Sequence, residues 1–362
     1  MDPHEYEERV RRMARSLWRD FSIGRDVLPP LREGGGPTEL DVRIETRTEV
    51  IFVDATMAKS ADVVRQKIAT LKKHFLSMRG RFGKPMRGYI VTAHEPTQHQ
   101  IEAIKAAKTA NIQLLSYNQL QQLVVDAAGY LARRSAFRFG SVRGFGGRAP
   151  PREVPLSEFV TPHYAVYGGQ SKVSFEDIVR TVCSDHSNAR YLVAGYFGMG
   201  KSMTLRAVFD QCRRDYEADR IARFPVHINL VDHQAQQDPD EALRRHAKKI
   251  GFEQGADGLV AAWRSGLIIL LLDGFDELIG TSWSGELAKR RAYRRQAMAL
   301  VKGFVDESPS RTPIVISGRW TYFDQTSEMY DALGVAIAAK NGAFIHVDIE
   351  DFSTDQLGPV VS

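Results

Sequence analysis

The sequence predicts an α/β protein of two domains, an N-terminal mixed-sheet α/β domain followed by a parallel-sheet α/β domain built on a phosphate-binding loop. Three observations predict it. Short apolar runs alternate with segments of helical periodicity; a loop of the form GxxxxGK[ST] stands between one such run and a helix; and a stretch rich in glycine, proline and arginine divides the chain.

The second half carries the more specific signals. Tyr191-Leu192-Val193-Ala194 reads as a buried strand, and Gly195-Tyr196-Phe197-Gly198-Met199-Gly200-Lys201-Ser202 follows it. Glycines at this spacing let successive N–H groups turn inward around phosphates, so Gly195, Gly198, Met199 and Gly200 form the cradle. Lys201 reaches the β- and γ-phosphates, and Ser202 ligates Mg²⁺. Met203 to Arg214 then reads as a helix with Leu205, Val208 and Phe209 on one side, which places the phosphates at a helix N-terminus. Farther on, the apolar run Leu267 to Leu272 ends in Asp273-Gly274-Phe275-Asp276-Glu277, as a central parallel strand does when its tip meets a nucleotide. Asp273 is expected in the Mg²⁺ shell, with Glu277, beside Asp276, orienting or deprotonating the attacking water. A third strand, Pro313 to Ser317, puts Arg319 where a cation senses the γ-phosphate.

The N-terminal half reads as helix, hairpin, helix, strand, helix, strand, helix. His4 to Phe21 is amphipathic through Val10, Met13, Leu17 and Trp18, and Gly34-Gly35-Gly36-Pro37 turns the chain into two strands, Glu39–Glu45 and Glu49–Thr56, joined by Thr46-Arg47-Thr48. Helices are expected over Asp62–Phe75, Thr97–Thr109 and Tyr117–Tyr130, with strands at Tyr89–Thr92 and Ile112–Ser116. Asp41 and Asp54 would converge on one sheet edge, a pair of oxygens suited to Mg²⁺ against a phosphodiester. His94, Glu95 and His99 read as a helix start rather than a metal site, because Pro96 precedes the first turn.

Composition bounds the rest. At 362 residues, 43% hydrophobic and 26% charged, the chain has the makeup of a globular protein with room for two cores. Its net charge of +5 permits nucleic-acid contact without locating it. Cys183 and Cys212 have no metal spacing and suit a reducing compartment; the acidic N-terminus resembles no leader, and no apolar run is long enough for a bilayer. A cytoplasmic protein is expected, with residues 1–138 and 156–350 as domains, 139–155 as linker and 351–362 as the start of a following subdomain, whose remainder either follows in the native chain or is replaced by a partner's sensor.

The segments GYFGMGKS, LLLDGFDEL and VISGR together resemble the NACHT group of STAND NTPases, a branch of the AAA+ superfamily, over roughly Pro155 to Ser362. The resemblance implies a P-loop NTPase domain, ATP/ADP and Mg²⁺ as cofactors, slow ATP turnover, and a switch in which ADP holds a monomer and ATP permits a homo-oligomer. Residues 1 to about 140 resemble the restriction-endonuclease-like fold of the PD-(D/E)XK superfamily, particularly its Mrr-like branch, which implies a nuclease-like effector acting on DNA. There Asp41 and Asp54 would hold the metal. The family's lysine after the second acid is Thr56 here, so Lys67 or Lys59 on the next helix would replace it, with Glu7 or Glu8 completing the shell. Such fusions resemble prokaryotic antiphage immune proteins. Alternatives are a restriction-type nuclease that uses ATP to move DNA, and a scaffold whose inactive N-terminal domain recruits a partner.

Overall fold

In the computed structural model, which describes residues 2–18, 40–139, 154–184, 187–278, 287–336 and 344–350, the chain is α/β, with one mixed sheet in each of two units, Met1–Asp126 and Ala127–Ser362.

In the first unit, α1 (Pro3–Trp18) precedes β1 (Val42–Glu45) and β2 (Val50–Thr56), followed by α2 (Ala61–Phe82), β3 (Met86–Thr92), α3 (Gln98–Ala106), β4 (Ile112–Ser116) and α4 (Tyr117–Val124). The strands lie in chain order, β1 antiparallel to β2 and the rest parallel. Every residue of β2 is buried, so both faces of that strand are covered. Strand alternation explains the division of labour: Val50 and Phe52 join Val64, Ile68 and Leu71 of α2 in one core, and Asp54 continues the same row. Ser60 caps α2 by accepting from the Asp62 N–H, and Thr97 caps α3 in a box with Gln100, which is how His94, Glu95 and His99 come to flank a helix start. The single helix expected over Tyr117–Tyr130 is broken at Val125, whose backbone is extended.

The second unit begins earlier than composition suggests, with α5 (Ala127–Ala136). After it come β5 (Tyr164–Val166), β6 (Lys172–Val173), α6 (Phe175–Cys183), β7 (Arg190–Ala194), α7 (Lys201–Glu217), β8 (Phe224–Asn229), α8 (Pro239–Lys249), α9 (Ala256–Arg264), β9 (Ile268–Asp273), α10 (Leu287–Ala297), α11 (Ala299–Glu307), β10 (Ile314–Gly318), α12 (Thr326–Leu333) and β11 (Phe344–Ile349). Their order in the sheet is β6-β5-β11-β7-β10-β9-β8. The expected all-parallel sheet is corrected: β11, β7, β10, β9 and β8 are parallel, but β5 and β6 extend the edge antiparallel. Two- and three-residue strands at an edge need no helical crossover, so hairpin pairing suffices there. The central run Ile268–Leu272 is wholly buried, as a strand covered on both faces must be. The Gly34–Pro37 turn, most of the linker (140–153) and the 351–362 segment lie outside the described residues. Among the described residues no helix is long and apolar enough to cross a membrane.

Candidate functional site

The register of β7, β10 and β9 brings their carboxyl ends together, with Ser317 beside Val193 and Ile316 beside Leu272. Gly198 and Gly200 take left-handed φ values of 81° and 89°, which a side chain would strain, and Lys201 immediately begins α7. The free N–H groups of that helix therefore face the loop. The Lys201 ammonium donates to the carbonyls of Gly195 (3.0 Å) and Tyr196 (2.7 Å), and burial pulls its pKa down against the attraction of Asp276. The Met199 sulfur accepts from the Tyr196 N–H.

Residues far apart in sequence meet at Asp273. Ser202 donates to Asp273 Oδ1 at 3.1 Å, and Ser317 donates to the same oxygen at 2.5 Å. Burial pushes the Asp273 carboxyl up, while both hydroxyls favour its charged form. Among the described residues no three His, Cys, Asp or Glu side chains form a metal-holding group. Mg²⁺ needs only one or two protein oxygens when phosphate and water supply the rest, so the adjoining Ser202 hydroxyl and Asp273 carboxylate fit it.

Asp276 is occupied by Arg319. Its two oxygens accept from the Arg319 backbone N–H (3.1 Å) and from Arg319 Nε (2.6 Å), so this buried acid fixes the arginine. The guanidinium lies 5.5 Å from the Phe197 ring and 5.4 Å from that of Tyr322. Glu277 is free of that pair, and Gln234 holds its main-chain carbonyl at 2.9 Å. Partial burial first, and then the like charges of Asp273 and Asp276, raise its carboxyl to about 7.

Behind Asp273 lies a set of residues that sequence reasoning missed. Arg134 of α5 is buried and donates to the His227 carbonyl (3.1 Å), to His227 Nδ1 (2.8 Å) and to the Phe137 carbonyl (3.2 Å), with the Phe139 ring 3.7 Å away. Arginine only donates, so Nδ1 accepts and Nε2 carries the imidazole hydrogen. That Nε2 points at Asp273 Oδ2 from 3.8 Å. A single histidine in the apolar run Phe224–Ile228 was the available signal; Arg134 and Ser317 offered none.

In the first unit, register extends the β1–β2 pairing so that Asp41 faces Asp54. Asp41 Oδ2 accepts the Ala55 N–H at 2.6 Å, and Lys67 of α2 pairs with Asp54 Oδ1. Burial raises the Asp54 carboxyl to about 6; Lys67 pulls it down and Asp41 pushes it up. Burial and then the Asp41 charge also raise the Glu7 carboxyl on α1. Glu8 accepts from Arg11 (2.6 Å), whose Nε donates to the Asp41 carbonyl (3.2 Å); Lys59 is exposed, and the Thr56 hydroxyl accepts from the Ala58 N–H. Of the two lysines, Lys67 is the one that contacts Asp54. No family model and no curated protein matches the chain.

Proposed function

We propose that the protein is a nucleotide-dependent signalling switch of the NACHT type, an ATPase whose second unit binds Mg²⁺-ATP and whose first unit is a nuclease-like effector. The observation that carries the reading is the 3.1 Å contact between Ser202 and Asp273, which joins the glycine loop to the acidic tip of β9 across 71 residues. Lys201, now donating to two carbonyls, would donate to phosphate oxygens, its charge making those bonds stronger. The α7 N-terminal amides would bind the same oxygens. Ser202 and Asp273 would hold Mg²⁺, which neutralises charge on the phosphates. Glu277 would take the proton of the attacking water, and Arg319, fixed by Asp276, would meet charge developing on the γ-phosphate.

For the first unit, Glu7, Asp41, Asp54 and Lys67 supply carboxylates and a cation suited to Mg²⁺-assisted phosphodiester hydrolysis on DNA. ATP-driven assembly of several copies would add weak DNA contacts by avidity. The pairing of Lys67 with Asp54 also favours a second reading, a scaffold whose first unit does not cleave, because that lysine is committed to a carboxylate.

Titration calorimetry with Mg²⁺-ATP tests the switch. The parent should bind, Lys201→Ala should lose at least tenfold in affinity, and Asp273→Asn should lose the dependence on Mg²⁺. Unchanged binding in Lys201→Ala would remove the phosphate-site assignment. A plasmid-cleavage assay with Mg²⁺ should give nicking by the parent and none by Asp54→Asn; no nicking with or without ATP would leave the scaffold.

A further inference from the structure

Cys183 ends α6 and Cys212 lies within α7, and their sulfurs stand 3.0 Å apart although 29 residues separate them. Cys212 is buried and Cys183 half-buried, and both are free thiols. Bond formation needs the sulfurs to approach by about 1 Å more, to the disulfide length of about 2.05 Å. The segment between them comprises β7, the Gly195–Ser202 loop and the first turns of α7, so a bond would enclose the whole glycine loop in one covalent ring.

We propose that Cys183 and Cys212 form a reversible oxidation site whose chemical partner is hydrogen peroxide. The half-exposed Cys183 is the sulfur a peroxide reaches. Its thiolate attacks the peroxide O–O bond, which breaks, leaving a sulfenic acid on Cys183 and releasing one water once the thiol's proton is counted. Cys212 then attacks that sulfur; the S–S bond forms, the S–O bond breaks, and hydroxide leaves with the Cys212 proton as a second water. Two thiols and one peroxide become one disulfide and two waters, with sulfur oxidised and peroxide reduced. The roles are asymmetric by position. Its contact with Cys183 and its burial keep the Cys212 thiol protonated, so Cys212 is inert alone and acts as the resolving partner. Reduction by a small thiol reverses the bond, as a reducing compartment requires of any regulatory disulfide. Nothing in this step depends on nucleotide binding.

The chain has only these two cysteines, so intact mass reads the site directly. Fully reduced, desalted protein is exposed to hydrogen peroxide, denatured in N-ethylmaleimide and weighed, then digested without reductant. Expected are loss of both alkylation sites, a cross-linked peptide joining Cys183 to Cys212 within one chain, and recovery of both sites after dithiothreitol. In Cys212→Ser, dimedone should trap a sulfenic acid on Cys183. Alkylation of both cysteines after peroxide, or over-oxidation of Cys183 without a cross-link, would overturn the proposal, as would a bond found only between chains.

Discussion

Replacing Lys67 with methionine keeps most of the aliphatic stem and removes the charge. Side-chain exposure is 4% for Asp54 and 22% for Lys67, so the variant leaves a carboxylate nearly dry and opposite Asp41. Removing one partner of a buried pair costs about 3–5 kcal/mol, and the partial exposure of Lys67 argues for the lower end, about 3 kcal/mol at pH 8. The sign with pH follows from the raised carboxyl. The Asp54 value of about 6 exceeds the ordinary 3.8, so the folded state holds that proton more tightly. Its contribution to stability is full below about pH 4 and is lost as pH rises through about 6. Without the ammonium, the Asp54 value moves higher still, and protonation relieves the unpaired charge in acid. The deficit of Lys67→Met should therefore be small at pH 5 and near its full size at pH 8. Urea unfolding followed by circular dichroism at the two pH values measures it, and Asp54→Asn in the same chain should recover much of the loss at pH 8. Equal destabilisation at both pH values, or no recovery in the double variant, would refute the account of this pair.

Three further outcomes are expected. With Glu277 raised to about 7, phosphate release from ATP should increase as pH rises through 7, because a base acts deprotonated; Glu277→Gln should lack that limb and be about 10²–10⁴ slower, and an unchanged pH profile would exclude Glu277 as the base. Arg134→Met removes the hydrogen bonds to His227 and to the Phe137 carbonyl and leaves the His227 carbonyl and Nδ1 buried without them, a loss of about 2–4 kcal/mol measurable by denaturant titration of the full chain. Arg319→Ala and Asp276→Asn should slow ATP hydrolysis similarly, and the double variant no further, since Asp276 acts through Arg319; additive losses would give Asp276 a role of its own.

The parts of the fold legible in the sequence were those that carry their own period. Leu267–Leu272 could only be a strand covered on both faces, and β9 runs Ile268–Asp273. The hairpin of β1 and β2 followed from alternation and a short connection, which spans the four residues Thr46 to Glu49. The edge strands β5 and β6, three and two residues long, are too short to carry a period, so the mixed character of the second sheet stayed hidden. The division between the units falls ahead of the glycine- and proline-rich stretch for another reason. Glycine and proline mark where a chain bends, whereas α5 belongs to the second unit because Tyr130 and Arg134 are buried there against β8, a tertiary fact with no local signature.

At the candidate sites, the legible residues share one property and the illegible ones another. Gly198, Gly200, Lys201, Ser202 and Asp273 lie where backbone geometry and chemistry are set within a few residues. Lys67 was open to a sharper reading: Val64, Ile68 and Leu71 are three and four residues apart on the buried stripe of α2, and position 67 falls on that stripe. A lysine there must either reach water or meet an acid, and the row Val50, Phe52, Asp54 ends in one. The same test applied to Phe224–Ile228 singles out His227, a polar ring in a run with no water to offer it. What the test cannot supply is the partner. Arg134 and Cys212 reach theirs across 93 and 29 residues, distances at which only the packed sheet decides which buried polar groups meet.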